Sequence, residues 1–182
     1  MRWQAVEKSQ PRLAATARRG LLEPGVVLVG TVRRDGTPRI SPVEPFVMDG
    51  ELVLSMLWHS LKAADLARDP RILVHSIVTS REGGEGEVKV RGRARKEDRP
   101  DVLGRYATAV HAALGWRPEP GRFHLFAVDV DDVACVRYDG ATGDQYVAHW
   151  PPPREFVRRG TSATTVGEPE PYDDLLTTGS GP

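Results

Sequence analysis

SMLWHSLKAADLARDPR, residues 55–71, decides how the fold is read. Its first residues close an apolar run, and the rest has the composition of a short helix. Ser60 stands where a helix N-cap belongs. Asp69-Pro70 stops the helix, because proline disfavours helical geometry in the residue before it. The stretch therefore predicts a helix over about 60–68 between two strands. Lys62 then falls in the first turn, at the positive end of the helix dipole, where a cation is mildly unfavourable unless an anion binds nearby. Two readings follow. Ser60 is a plain cap and Lys62 a solvated lysine. Alternatively, the free N–H groups, the Ser60 hydroxyl and the Lys62 ammonium converge on one phosphate.

Upstream, VVLVGTVRR is β-branched and apolar and reads as a strand, and the Asp35-Gly36 pair after it marks a hairpin turn. RISPVEPFVM is a second strand, with Pro42 and Pro45 pointing to an edge or a bulge. A second Asp-Gly turn leads to ELVLSML, so the spacing predicts an antiparallel meander of three strands. In that meander Arg39 and Ser41 lie beside the strand that feeds Ser60.

Downstream, RILVHSIVT reads as a fourth strand, SREGGEGE as a hairpin loop and EVKVRGRARK as a half-buried strand. Val102, Tyr106, Val110 and Ala113 give EDRPDVLGRYATAVHAALG one apolar helical face. FHLFAVDVDDVACVRYD holds one long or two short strands, and GDQYVAHW the last. Six or seven antiparallel strands with few helices predict a mainly β fold, a closed or partly closed barrel. Residues 1–23 read as an N-terminal helical segment, 24–150 as the folded body and 151–182 as a tail. Proline and glycine supply 10 of the last 32 residues, so the tail is either disordered or strapped across the body.

The chain has 182 residues with 25 basic and 25 acidic, a formal net charge of zero. That balance removes the simplest argument for a nucleic-acid or acidic-membrane partner. The single cysteine, Cys135, allows no intrachain disulfide and no cysteine-based zinc site. With no apolar leader at the start, a cytoplasmic protein is expected. The five histidines form no ligand pair at metal spacing, although His59 abuts Ser60. Asp129, Asp131 and Asp132 read as turn residues rather than a metal cluster. Lys89, Arg91, Arg93 and Arg95 alternate on one strand face, which is either solvated or a basic wall for an anion.

The order GTVRRDGTPRISPV, LVLSMLWHSLKAADLARDPRILV, VKVRGRAR resembles the pyridoxamine 5'-phosphate oxidase-like split barrels, which include flavin- and deazaflavin-dependent oxidoreductases. The S-x-K and L-x-x-D-P-R pattern of Ser60 to Arg71 carries most of the likeness, and the D-G-x-P-R hairpin adds to it. The resemblance implies an antiparallel split β-barrel over residues 24–150 and a homodimer with two cofactors in grooves between subunits. It implies FMN as cofactor, with the deazaflavin F420 as the alternative, and a small-molecule substrate. It also implies that Ser60 and Lys62 hold the cofactor phosphate, with His59 beside them. Arg39, Ser41, Val43, Ser55 and Met56 would then lie along the ribityl chain and ring. Leu61 stands where vitamin B6 oxidases carry a basic residue, Glu87 where they carry glutamine, and their C-terminal Arg-x-His is absent. The likeness therefore reaches the superfamily and not vitamin B6 oxidase activity. A flavin- or haem-binding protein without catalysis is the other class this pattern admits.

Overall fold

The computed structural model describes residues 1–80, 85–119 and 121–173. Helices α1 (Trp3–Ser9) and α2 (Pro11–Leu22) lead into strands β1 (Val27–Val32) and β2 (Pro38–Val43). Then come β3 (Pro45–Met48), β4 (Glu51–Leu57), α3 (Leu61–Arg68) and β5 (Arg71–His75). After them lie β6 (Glu87–Glu97), α4 (Pro100–Leu114), β7 (Phe123–Tyr138), β8 (Gln145–Trp150), β9 (Arg154–Ser162) and β10 (Thr165–Pro171). No helix among the described residues is long and apolar enough to cross a membrane.

All strand pairings are antiparallel, in the order β10-β9-β8-β7-β6-β5-β1-β2, with β3 and β4 attached through β7. One edge of β7 serves two partners. Its first half, 123–127, pairs with β4, and its second half, 133–138, pairs with β8. The sheet thus splits at the middle of β7. β2 touches β4 without a hydrogen-bonded ladder, which makes the body a split antiparallel β-barrel.

Alternation builds the interior. Val27 and Val29 of β1, Leu52, Leu54 and Met56 of β4, and Phe126, Val128 and Val130 of β7 point into one buried cluster. Leu13, Ala17 and Leu21 of α2 and Ala63 and Leu66 of α3 close over it. Each large apolar side chain removed from water contributes roughly 1.5–3 kcal/mol before entropy is charged. On the opposite face of β4 and β7, α4 packs Val102, Tyr106 and Val110 onto Val53, Leu125 and Ala127.

Several expectations change. The second predicted strand breaks at Glu44, before Pro45, so β2 pairs with β1 and β3 with β4 rather than forming one meander. β2 is indeed an edge strand, which accommodates the missing N–H of Pro42. The N-terminal helical segment is two helices, α1 and α2, divided at Gln10. Ala113 lies on the exposed side of α4, and Ala107 takes the buried place expected of it. Asp129, Asp131 and Asp132 do not form a turn. They sit within the continuous strand β7, where the register shifts opposite Arg91 and Gly92. Gly92 permits that bulge, since a Cβ there would lie 2.2 Å from the Asp129 carbonyl oxygen.

The tail differs most. Residues 154–171 are neither disordered nor a loose strap: β9 and β10 form a hairpin that extends the sheet from β8. Pairing therefore runs across the boundary expected at Trp150. Such a hairpin needs no core of its own, because β8 supplies backbone partners and Val157 is buried against the body. Residues 174–182, and 81–84 of the predicted hairpin loop, lie outside the described residues.

Candidate functional site

Helix α3 lies across the barrel with Ala63 and Leu66 inward. The turn before it is closed by the Ser60 amide donating to the Leu57 carbonyl at 3.1 Å. His59 takes a left-handed backbone, φ 63°, to make that turn. Such a conformation is uncommon outside glycine, although histidine is among the residues that tolerate it. Ser60 has the extended backbone of an N-cap, but its side chain makes no cap hydrogen bond. Its Oγ is instead buried with no hydrogen-bond partner among the described residues. The first turn of α3 contains no acidic residue, and Lys62, half-buried there, forms no ion pair among the described residues. An orphaned hydroxyl, uncapped amides and an unpaired ammonium fit a bound anion.

Ser60 opens on a cavity of about 320 Å³ lined by His59, Ala63, Ala67, Lys96, His124 and Phe126. Trp58 stacks on His124 with ring centroids 4.7 Å apart and meets the His59 ring edge-on at 5.1 Å. Burial, and then the nearby Lys96 and His59, hold the proton affinity of His124 below the ordinary histidine range. Trp58, Lys96 and His124 were not anticipated. Lys96 follows the basic alternation of β6 out of phase, and His124 opens an apolar strand. Neither carries a local signal: the β4–β7 pairing sets His124 opposite Met56, and the β6–β7 pairing sets Lys96 opposite Phe126.

The other predicted residues are distributed as follows. Arg39 is committed to Asp65, Nε to Oδ2 at 2.7 Å, on the flank of α3 that faces β1 and β2. Asp65 is buried and also accepts from the Thr31 hydroxyl at 3.1 Å and pairs with Arg68 at 3.4 Å. Burial alone would raise the Asp65 pKa, but the Arg39 and Thr31 hydrogen bonds outweigh it and hold the carboxyl below its usual range. Ser41 is half-buried on the same row of β2. Val43 and Met56 are core residues, so only their backbone can reach a ligand. Ser55 points to the opposite face of β4 from Met56, the face that α4 covers with Tyr106. The structure therefore brings His59 and Ser60 together at the cavity, leaves Lys62 beside them on α3, and turns Ser55, Met56 and Val43 away.

The basic strand face is largely neutralised. Lys89 pairs with Glu87, Arg91 with Asp132, and Arg95 with Glu51 and Glu97. Among the described residues Arg93 alone of the four forms no ion pair. The described residues contain no cluster able to hold a metal ion.

A family model described as pyridoxamine 5'-phosphate oxidase matches residues 13–137. No curated protein matches the chain. Among solved structures, a NimC/NimA family protein from Clostridium acetobutylicum is similar at TM-score 0.55 and 14% identity, covering 81% of this chain and 94% of that one. General stress protein 26 from Bacillus anthracis str. Sterne is similar at 0.52 and 21%, covering 69% and 91%. A haem-binding protein from Mycobacterium smegmatis is similar at 0.51 and 17%, covering 85% and 86%. At these identities the likeness concerns the fold.

Proposed function

The chain belongs to the pyridoxamine 5'-phosphate oxidase family, and from that premise we propose that it is a flavin-type oxidoreductase that holds FMN by its phosphate at the start of α3. The observation that carries this reading is the Ser60 hydroxyl, buried without a partner at an uncapped helix start. Leaving such a group unpaired costs about 1–3 kcal/mol, a cost that a phosphate oxygen removes. The first amides of α3 and the Ser60 hydroxyl donate to the phosphate, and the Lys62 ammonium supplies the counter-charge. Arg39 and Ser41 of β2 and the backbone of β4 line the way from the phosphate toward the ring. The isoalloxazine supplies the hydride chemistry when bound, and the protein supplies binding and orientation. No side chain is assigned as an acid or base. The longer acidic tail of F420 would need a basic groove such as Lys89, Arg91 and Arg93, and the ion pairs of Lys89 and Arg91 leave that alternative with less support.

The same reading takes the protein as a homodimer. Ile40 of β2 and Leu73 of β5 flank Gly30 of β1 in register, and are 71% and 41% exposed on the outer face of the barrel. An apolar row of this kind suits a second copy of the chain.

The absorption spectrum of protein purified without added cofactor, followed by FMN titration, tests the reading. Flavin bands and saturable FMN binding are expected. A protein that takes up no flavin, or shows a haem or deazaflavin spectrum, overturns it.

A further inference from the structure

The cavity beside Ser60 has a lining of one electrostatic kind. Its polar groups are the Ser60 hydroxyl, the Lys96 ammonium and the His59 and His124 imidazoles, and no carboxylate lines it. Its remaining walls are alanines and Phe126. We propose that this cavity is the far half of the phosphate site, and that Lys96 and His124 are binding residues for a phosphate monoester dianion. The proposal rests on the FMN reading for the identity of the ester, and on the cavity's own residues for the phosphate.

Each group is available. Among the described residues Lys96 is held only by Asp98 at 3.6 Å, and both side chains are more than half exposed. An exposed pair at that distance is weak and gives way to a better anion. Trp58, stacked on His124, fixes the orientation of that imidazole. The left-handed turn at His59 holds the second imidazole at the rim, and backbone strain of this kind persists where the surroundings enforce it. The Ser60 hydroxyl has no partner among the described residues.

A pH dependence follows. The titratable groups facing His124 are Lys96 from β6 and His59 from the turn, and both, after burial itself, lower its proton affinity. An entering dianion supplies the missing counter-charge and raises the His124 pKa. Binding then takes up a proton, so affinity rises as pH falls toward and through the depressed value.

Inorganic phosphate and FMN, each titrated separately into the full chain by calorimetry, test this, with the His124 ring followed by NMR. Sulfate, which does not titrate near neutrality, serves for the pH series. Lys96→Met should weaken phosphate binding by roughly tenfold, the loss of one charged contact. Ala67→Leu, at an exposed helix position lining the cavity, should weaken it by filling space while leaving the charges unchanged. The His124 resonance should move with phosphate, and sulfate affinity should rise at lower pH. Equal phosphate binding by the parent and both variants, with an unmoved His124 signal, overturns the inference. FMN binding that depends on Lys62 but not on Lys96 or Ala67 also overturns it and leaves the flavin reading standing. Phosphate binding that depends on Lys96, in a protein that binds no FMN, upholds the inference and ends the flavin reading.

Discussion

At the scale of single residues, Ser60 and Lys62 separate the two readings of residues 55–71. A capping serine replaced by alanine costs about 1 kcal/mol. Ser60 does not cap, and its hydroxyl is buried unpaired, so Ser60→Ala should leave the melting temperature of the ligand-free protein unchanged or raise it, while weakening FMN. A fall of several degrees would mean that the hydroxyl caps the helix after all. Lys62→Ala should weaken FMN by about one to two powers of ten, since a charged hydrogen bond contributes about 1.5–3 kcal/mol and each 1.4 kcal/mol is tenfold. Unchanged FMN affinity would place the phosphate elsewhere. Glu97 gives a pH prediction. Hydrogen bonds from Arg99 hold its carboxyl at about 2 despite burial. A depressed carboxyl stabilises the fold above its unfolded pKa, and that stability is lost as pH falls from about 4.5 toward about 2. Acid unfolding of Glu97→Gln should therefore be shallower in that window than that of the parent. The positions of Ser60 and Lys62 at the start of α3 were legible because helix-start preferences act within one helical turn. Lys96 and His124 were not, because no local pattern relates them to Ser60.

At the scale of elements, strands and helices follow the periodicity of the sequence, and the departures occur where pairing decides. β7 runs unbroken through Asp129, Asp131 and Asp132, residues with strong turn propensity, because β6 pairs with it from Leu125 to Val136 and Gly92 leaves room for the extra residue. Gly92→Ala should therefore destabilise the protein by about 3 kcal/mol, the upper range for overpacking, measured by urea unfolding. A loss under about 0.5 kcal/mol would show that the bulge relaxes freely. The β9–β10 hairpin was hidden for a related reason. Proline and glycine content describes what a segment can bury alone, whereas β9 needs only the free edge of β8 and one buried Val157. Protease should cut the described part of this hairpin near its 162–165 turn rather than along β9, and mass mapping of the first fragments checks this.

At the scale of the whole molecule, the outer face bearing Ile40 and Leu73 should be covered by a second chain. Sedimentation should give about twice the chain mass of 20.0 kDa, and Ile40→Glu should shift it toward the monomer. A monomeric parent at micromolar concentration would remove the intersubunit groove from the functional reading. The sequence by itself determined the barrel class, the position of α3 between β4 and β5, and the place of Ser60 and Lys62 at its start. Those features depend on alternation, turn residues and capping, which act over a few neighbouring residues. Only the tertiary structure decided that Arg39 is taken by Asp65, that Ser55 and Met56 face opposite sides of β4, and that the tail joins the sheet. It also decided that Lys96 and His124 stand beside Ser60. These depend on which strand edges meet and in what register, and contacts between residues distant in the chain leave no period to read.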